Sequence, residues 1–149
     1  MIINLNFQPS LQKFIESHQV KIKDAVYRSL LKSGYLVQGS ARRFAPVDTG
    51  LLRTTITVVG DYSQPLVMVG TNLGYAAPQE FGTKPHWAPL RPIAEWAIRK
   101  NIPREVIGKI WYSIARHGTK AHPYMQPALT ENLQKIQDNL LREVLNVFK

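Results

Sequence analysis

Apolar residues recur at Leu11, Phe14, Ile15, Ile22, Val26, Leu30, Val37, Ala41 and Phe44, mostly three, four or seven positions apart. That spacing draws one stripe along a helix, so the pattern predicts a single long helix over residues 10 to about 44. Ser10 is placed to cap its start. Pro46 ends it, because proline removes a donor and holds the preceding Ala45 extended. Gly34 and Gly39 each weaken the second half by about 1 kcal/mol relative to alanine. They predict either a bend or a place where another part of the chain comes close. The period then changes. "LLRTTITVVG" (51–60) and "LVMVGT" (66–71) are rich in Thr, Val and Ile and predict two strands. The short "DYSQP" link makes an antiparallel hairpin the expected pairing. Two strands alone are marginal in water, so the hairpin must lie on the long helix or join neighbouring strands.

A turn-rich segment, "NLGYAAPQEFGTKPH", follows, with a short helical piece expected around 76–81. Two moderate helices are predicted near 89–100 (Leu90, Ile93, Ala97, Ile98) and 103–116 (Val106, Ile107, Ile110, Trp111, Ile114). Pro103 sits where proline is tolerated, in a first helical turn. From about 127 to 148, Leu129, Leu133, Ile136, Leu140, Val144, Val147 and Phe148 keep a spacing of three and four, the pattern of a last helix. The expected fold is therefore α+β: a long N-terminal helix and a C-terminal helix packed on a small antiparallel β-sheet, with an inserted helical pair. The expected organisation is one domain over 1–149, with the insertion at about 89–116. A chain of 149 residues should bury roughly 68–70% of its unfolded surface.

Charge and composition narrow the function classes. With no cysteine, disulfides, thiol chemistry and Cys-rich zinc sites are excluded. A formal charge of +9 points to a polyanionic neighbour, nucleic acid or acidic protein. The basic residues are spread along the chain, however, and cluster no more densely than Arg42-Arg43 and Arg99-Lys100. No stretch approaches the roughly 20 apolar residues of a membrane helix, so no membrane partner is expected. The N-terminal "MIINLNFQPSLQKF" lacks a basic leader followed by an apolar run, so no signal peptide is expected.

Candidate chemistry is sparse. "FGTKPH" (81–86) and "HGTKAH" (117–122) are nearly the same hexapeptide. Gly82 and Gly118 each follow a helical piece, where a left-handed cap is the usual role of glycine. Two readings remain: two helix ends obeying one local rule, or two loops with a shared role. His86, His117 and His122 lack the spacing of metal ligands and have no acid between the last two, so no metal is expected. "PVDTGLL" contains Asp-Thr-Gly, the loop of aspartic proteases, in which two carboxylates share a proton. Here Asp48 follows a helix end rather than a buried strand. The simpler expectation is a turn in which Asp48 accepts backbone hydrogen bonds and Gly50 supplies a positive φ. No Ser-His-acid set, phosphate-binding glycine loop or dinucleotide fingerprint occurs. The residues thus call for no catalytic group and no cofactor.

Three motifs in order carry a resemblance: Pro46, Val47, Asp48, Thr49, Gly50, Leu52 and Arg53; then Tyr75, Ala76, Glu80, Phe81, Gly82 and Thr83; then Pro123, Tyr124, Pro127, Ala128 and Leu129. Set between a long first helix and a last helix, they resemble the neck or tail-completion proteins of long-tailed bacteriophages, the head–tail joining family that includes minor tail protein Z. Compact members pass quickly from the second motif to the third. Here the helical pair intervenes, bracketed by the two "GTK" loops, as if the chain leaves and re-enters the scaffold at equivalent places. The resemblance implies a non-enzymatic virion or prophage protein, made in the host bacterial cytoplasm and placed at the head–tail junction. It implies a homo-oligomeric ring, with a hexamer as the candidate copy number. Connector, tail-terminator or tail-tube proteins would be its neighbours, with transient contact to DNA in the channel. Rings need head-to-tail contacts that close by rotation. The candidate contacts are Asp48, Thr49, Gly50, Arg53, Tyr75, Glu80, Phe81, Gly82, Thr83 and Tyr124, together with Trp87, Trp96 and Trp111. The competing classes are a basic DNA-binding module and, further off, a retropepsin-like aspartic protease.

Overall fold

The computed structural model describes residues 9–149. Helix α1 runs Pro9–Phe44, 36 residues, or about 54 Å at 1.5 Å per residue. It contains Ser10 as its second residue rather than as its cap. The side chains of Ser10, Leu11, Phe14 and Ile15 lie outside the described residues. Helix α6 (Met125–Leu145), extended by a 3-10 turn over Asn146–Phe148, lies antiparallel along α1. Near one end the Asn132 side-chain amide donates to Ser40 Oγ at 2.9 Å, and near the other His18 stacks on Phe148.

The hairpin pairs β1 (Thr57–Asp61) with β2 (Leu66–Gly70) antiparallel, with Val59 opposite Met68. It lies on α1 where Gly34 makes room: a Cβ there would come within 2.7 Å of a Val67 methyl and 2.9 Å of a Val58 methyl. The expected close approach is thus real at Gly34, whereas Gly39 faces open space.

The first predicted strand is wrong in its first half. Residues Leu51–Thr55 form a short helix, α2, and the chain is extended only from Ile56 onward. Thr54 and Thr55 turn their hydroxyls back onto the Leu51 carbonyl at 3.0 and 2.9 Å, satisfying helical groups that threonine usually leaves to strands. Tertiary burial of Leu52 and Ile56 fixes the turn. Two α1 side chains then hold the exit, since Gln38 Nε2 and Arg42 Nη2 both donate to the Ile56 carbonyl, at 2.7 and 2.8 Å.

Helix α3 (Ala76–Phe81), α4 (Leu90–Arg99) and α5 (Arg104–His117) fall where the periodicity puts them. The buried cluster joins Val37, Ala41, Ala45, Leu52, Ile56, Ala76, Tyr124 and Ala128, so α1, α2, α3 and α6 share one core. That core is thin. Among the described residues its largest fully buried side chains are Ile56 and Ser29. The chain exposes 10972 Å², against roughly 7,700 Å² expected for a compact protein of its mass.

Candidate functional site

The first motif forms a knot at the end of α1. Gly50 adopts φ 83°, a left-handed turn that starts α2. Arg53 reaches back so that its Nε donates to the Ala45 carbonyl at 2.9 Å and its Nη2 to the Arg43 carbonyl at 3.4 Å. Both acceptors are carbonyls at or just past the end of α1, where no following turn supplies donors. Thr49 Oγ1 accepts from the Leu51 amide at 3.4 Å. Asp48 does not accept the backbone hydrogen bonds expected of a turn aspartate. Arg99, at the end of α4, donates to it instead, with Nη2 at 2.5 Å from Oδ2 and Nε at 3.1 Å. The Lys100 ammonium lies 3.8 Å from its other oxygen. The Arg99 hydrogen bond holds the Asp48 carboxyl below the usual range. The arrangement is that of a tether between the end of α4 and the turn that follows α1.

The second and third motifs form another knot. Glu80, 6% exposed, accepts from three consecutive backbone amides: Tyr124 at 2.7 Å, Met125 at 2.9 Å and Gln126 at 2.9 Å. These are the orphan donors at the start of α6, whose own first residues provide no side-chain cap. Burial pushes the Glu80 carboxyl up, but the three amides outweigh it and hold the pKa below the ordinary value. Tyr124 is buried beside it, and its phenol is pushed up first by that burial and then by the Glu80 charge.

The repeated hexapeptide closes the base of the helical pair α4–α5. Thr83 and Thr119 form an antiparallel bridge. Each amide meets the other's carbonyl, at 3.1 and 3.3 Å, and the two hydroxyls lie 3.1 Å apart. Gly82 and Gly118 both have positive φ, as expected of caps, but their ψ values of −175° and −159° are extended rather than left-handed helical. Each chain therefore leaves its helix straight into the bridge. A Cβ on Gly82 would lie 2.5 Å from the Thr119 carbonyl oxygen, and one on Gly118 would overlap that of Thr83. The two loops thus share a place, and local capping alone does not account for them.

Of the candidate contact residues, Gly50, Arg53, Glu80, Gly82, Thr83 and Tyr124 are engaged inside the chain. Phe81 is 79% exposed, and Tyr75 is also exposed. Tyr75 shares a cleft with Val47, Asp48, Leu51 and Trp96. Trp87 is 63% exposed and packs on Trp111, whose indole N–H donates to the Ala88 carbonyl at 2.7 Å. His86 and His117 each face a nearby backbone carbonyl, and among the described residues no three metal-ligating side chains converge. A concavity of about 590 Å³ is an apolar groove bordered by α1 (Leu30, Gly34, Val37), β2 (Val67, Val69), α3 and the start of α6, with Phe81 at its rim.

Sequence reasoning missed the roles of Gln38, Arg42, Arg99 and Asn132. It placed Glu80 in a motif without finding its task, because the amides that it caps lie 44 to 46 residues away and no local pattern links them.

Residues 10–82 match the family model described as "Bacteriophage HK97-gp10, putative tail-component". The match covers just under half of the chain, from the start of α1 through α3, and stops at Gly82. Neither the curated proteins nor the solved structures gave a match.

Proposed function

We propose that the chain, whose residues 10–82 match the family model of an HK97-gp10-like tail component, is a structural subunit of the head–tail junction that closes into a homo-oligomeric ring. The body, with its three motifs, is the scaffold of this subunit, and residues from about 89 to 116 are an insertion that leaves and returns through the paired "GTK" loops. Its neighbours are other structural proteins of the virion, and its work is binding rather than catalysis.

The observation that carries this reading is the mismatch between a thin core and a large apolar surface. Val59, Leu66, Met68, Phe81, Leu129 and Leu133 are all exposed large apolar side chains on the hairpin, α3 and α6. A monomer rarely leaves so much uncovered, while a ring subunit covers it with the next copy. Phe81 and Tyr75, aromatic and open, have the character of interface anchors. Trp87 beside the insertion has the same character and faces a different partner surface.

The positive charge favours acidic protein rims over a tight hold on DNA, because each neutralised phosphate adds binding free energy that would resist passage. Light scattering coupled to size exclusion, followed by imaging of any assembled species, tests the proposal. A closed ring is expected. A protein that stays monomeric up to high micromolar concentration refutes it.

A further inference from the structure

The apolar groove ends on an open sheet edge. The sheet has two strands, and β2 rather than β1 borders the groove. Among the described residues, no backbone hydrogen bond beyond the hairpin's own ladder reaches Leu66–Gly70. An unpaired edge beside an apolar trough is a template for an added strand, with main-chain bonds giving affinity and alternate side chains filling the trough. The sequence holds one segment of that kind outside the described residues. Residues 3–8, "INLNFQ", alternate Ile3, Leu5 and Phe7 with Asn4, Asn6 and Gln8, the period of a half-buried strand. They carry no charge and no proline.

Reach decides whose groove it can fill. Ile3 lies six residues before Pro9 and so extends at most about 20 Å from the start of α1. The nearest groove residue on α1, Leu30, lies 21 residues along that helix, or about 31 Å away, and Gly34 lies farther still. The segment therefore falls short of the groove of its own chain but can enter that of another copy.

Resting on the ring reading above, we propose that residues 3–7 of one subunit add a strand to the β2 edge of the next, with Ile3, Leu5 and Phe7 seated in the groove between α1, α3 and α6. The donor and acceptor surfaces differ, so the contact runs head to tail and propagates around a ring.

The absence of cysteine makes a direct test available. Two single variants, Leu5→Cys and Ala77→Cys (Ala77 lines the groove), are mixed, allowed to assemble and oxidised mildly. A disulfide-linked dimer is expected from this mixture and not from Leu5→Cys mixed with Lys109→Cys on the insertion. In parallel, Leu5→Asp combined with Phe7→Asp is expected to raise the concentration needed for assembly at least tenfold, with helical content and melting temperature unchanged. If the wild-type chain assembles but the Leu5–Ala77 cross-link does not form, the segment does not occupy the groove and the proposal is overturned, whatever the aspartate variant does. A cross-link that forms while the aspartate variant also assembles less readily supports it. A wild-type chain that never assembles overturns the ring reading itself, which separates the two failures.

Discussion

The body and the helical pair α4–α5 are held by different physics. In the body, α1, α2, α3 and α6 share the buried cluster, and buried polar groups complete one another: Glu80 caps α6, Arg53 serves the end of α1, and Asn132 bonds Ser40. In the helical pair α4–α5 only Ala97 is buried. That pair meets the body through the Thr83–Thr119 bridge and the Arg99–Asp48 ion pair. The difference teaches that the three motifs work mainly as internal joints, while the segment carrying α4 and α5 is an appendage with Trp87 and Tyr112 at its surface. Body variants should therefore change global stability, and variants in the helical pair should change local order.

The largest effect is expected at Glu80. Glu80→Ala leaves three buried or half-buried amides without their acceptor and should cost about 3 kcal/mol. For a chain of this length that lowers the melting temperature by roughly 6–12 °C, measurable by circular dichroism. Glu80→Gln, which keeps an acceptor oxygen, should lose less. Because the folded pKa lies below the unfolded value of about 4.3, the Glu80 contribution is fully present above that value. It disappears as pH falls through the lower folded pKa. The melting-temperature gap between wild type and Glu80→Ala should close as the solution is acidified below pH 4. A gap that stays constant would show that the carboxylate is not what holds α6.

Next comes the base of the helical pair. Gly118→Ala places a methyl against the Thr83 carbonyl and forces a positive φ on alanine, at a cost of about 2 kcal/mol. Hydrogen exchange should quicken at Thr83, Thr119 and through α5 before it does in α1. Gly50→Ala has the same backbone penalty without a clash, since nothing lies near its Cβ position. It should cost about 1 kcal/mol, and the contrast between the two glycines separates steric closure from backbone strain.

The smallest effect is expected at Asp48. Asp48→Asn removes an exposed ion pair, so the melting temperature should stay within error while amide exchange in α4 rises. The same loosening should follow from added salt, which screens exposed pairs. It should also follow from acid, since the folded Asp48 pKa lies below its ordinary value and the pair is lost as pH falls through it. If Asp48→Asn destabilises the whole chain as much as Glu80→Ala does, the distinction between body and appendage fails.

Long periodic segments were legible because each is decided by its own spacing. Helices α1, α3, α4, α5 and α6 all sit within a few residues of where the apolar pattern places them. "LLRTT" was misread because threonine and a following Val-rich run favour strands locally, while the burial of Leu52 against α1 settles the matter from outside. Gly82 and Gly118 showed their positive φ in the sequence, as residues just past helix ends do. That they face each other across a bridge could not be read, since the two loops are 36 residues apart.

The sequence by itself determined the elements, the positive charge and the order of the three motifs, because these depend on neighbours within a few positions along the chain. Only the tertiary structure decided what the motif residues do. It turned Glu80 into the cap of a distant helix, gave Asp48 to Arg99 and left Phe81 in the open. Those outcomes depend on which buried amides, cations and carbonyls happen to lack a partner once the helices are packed, and no local pattern carries that information.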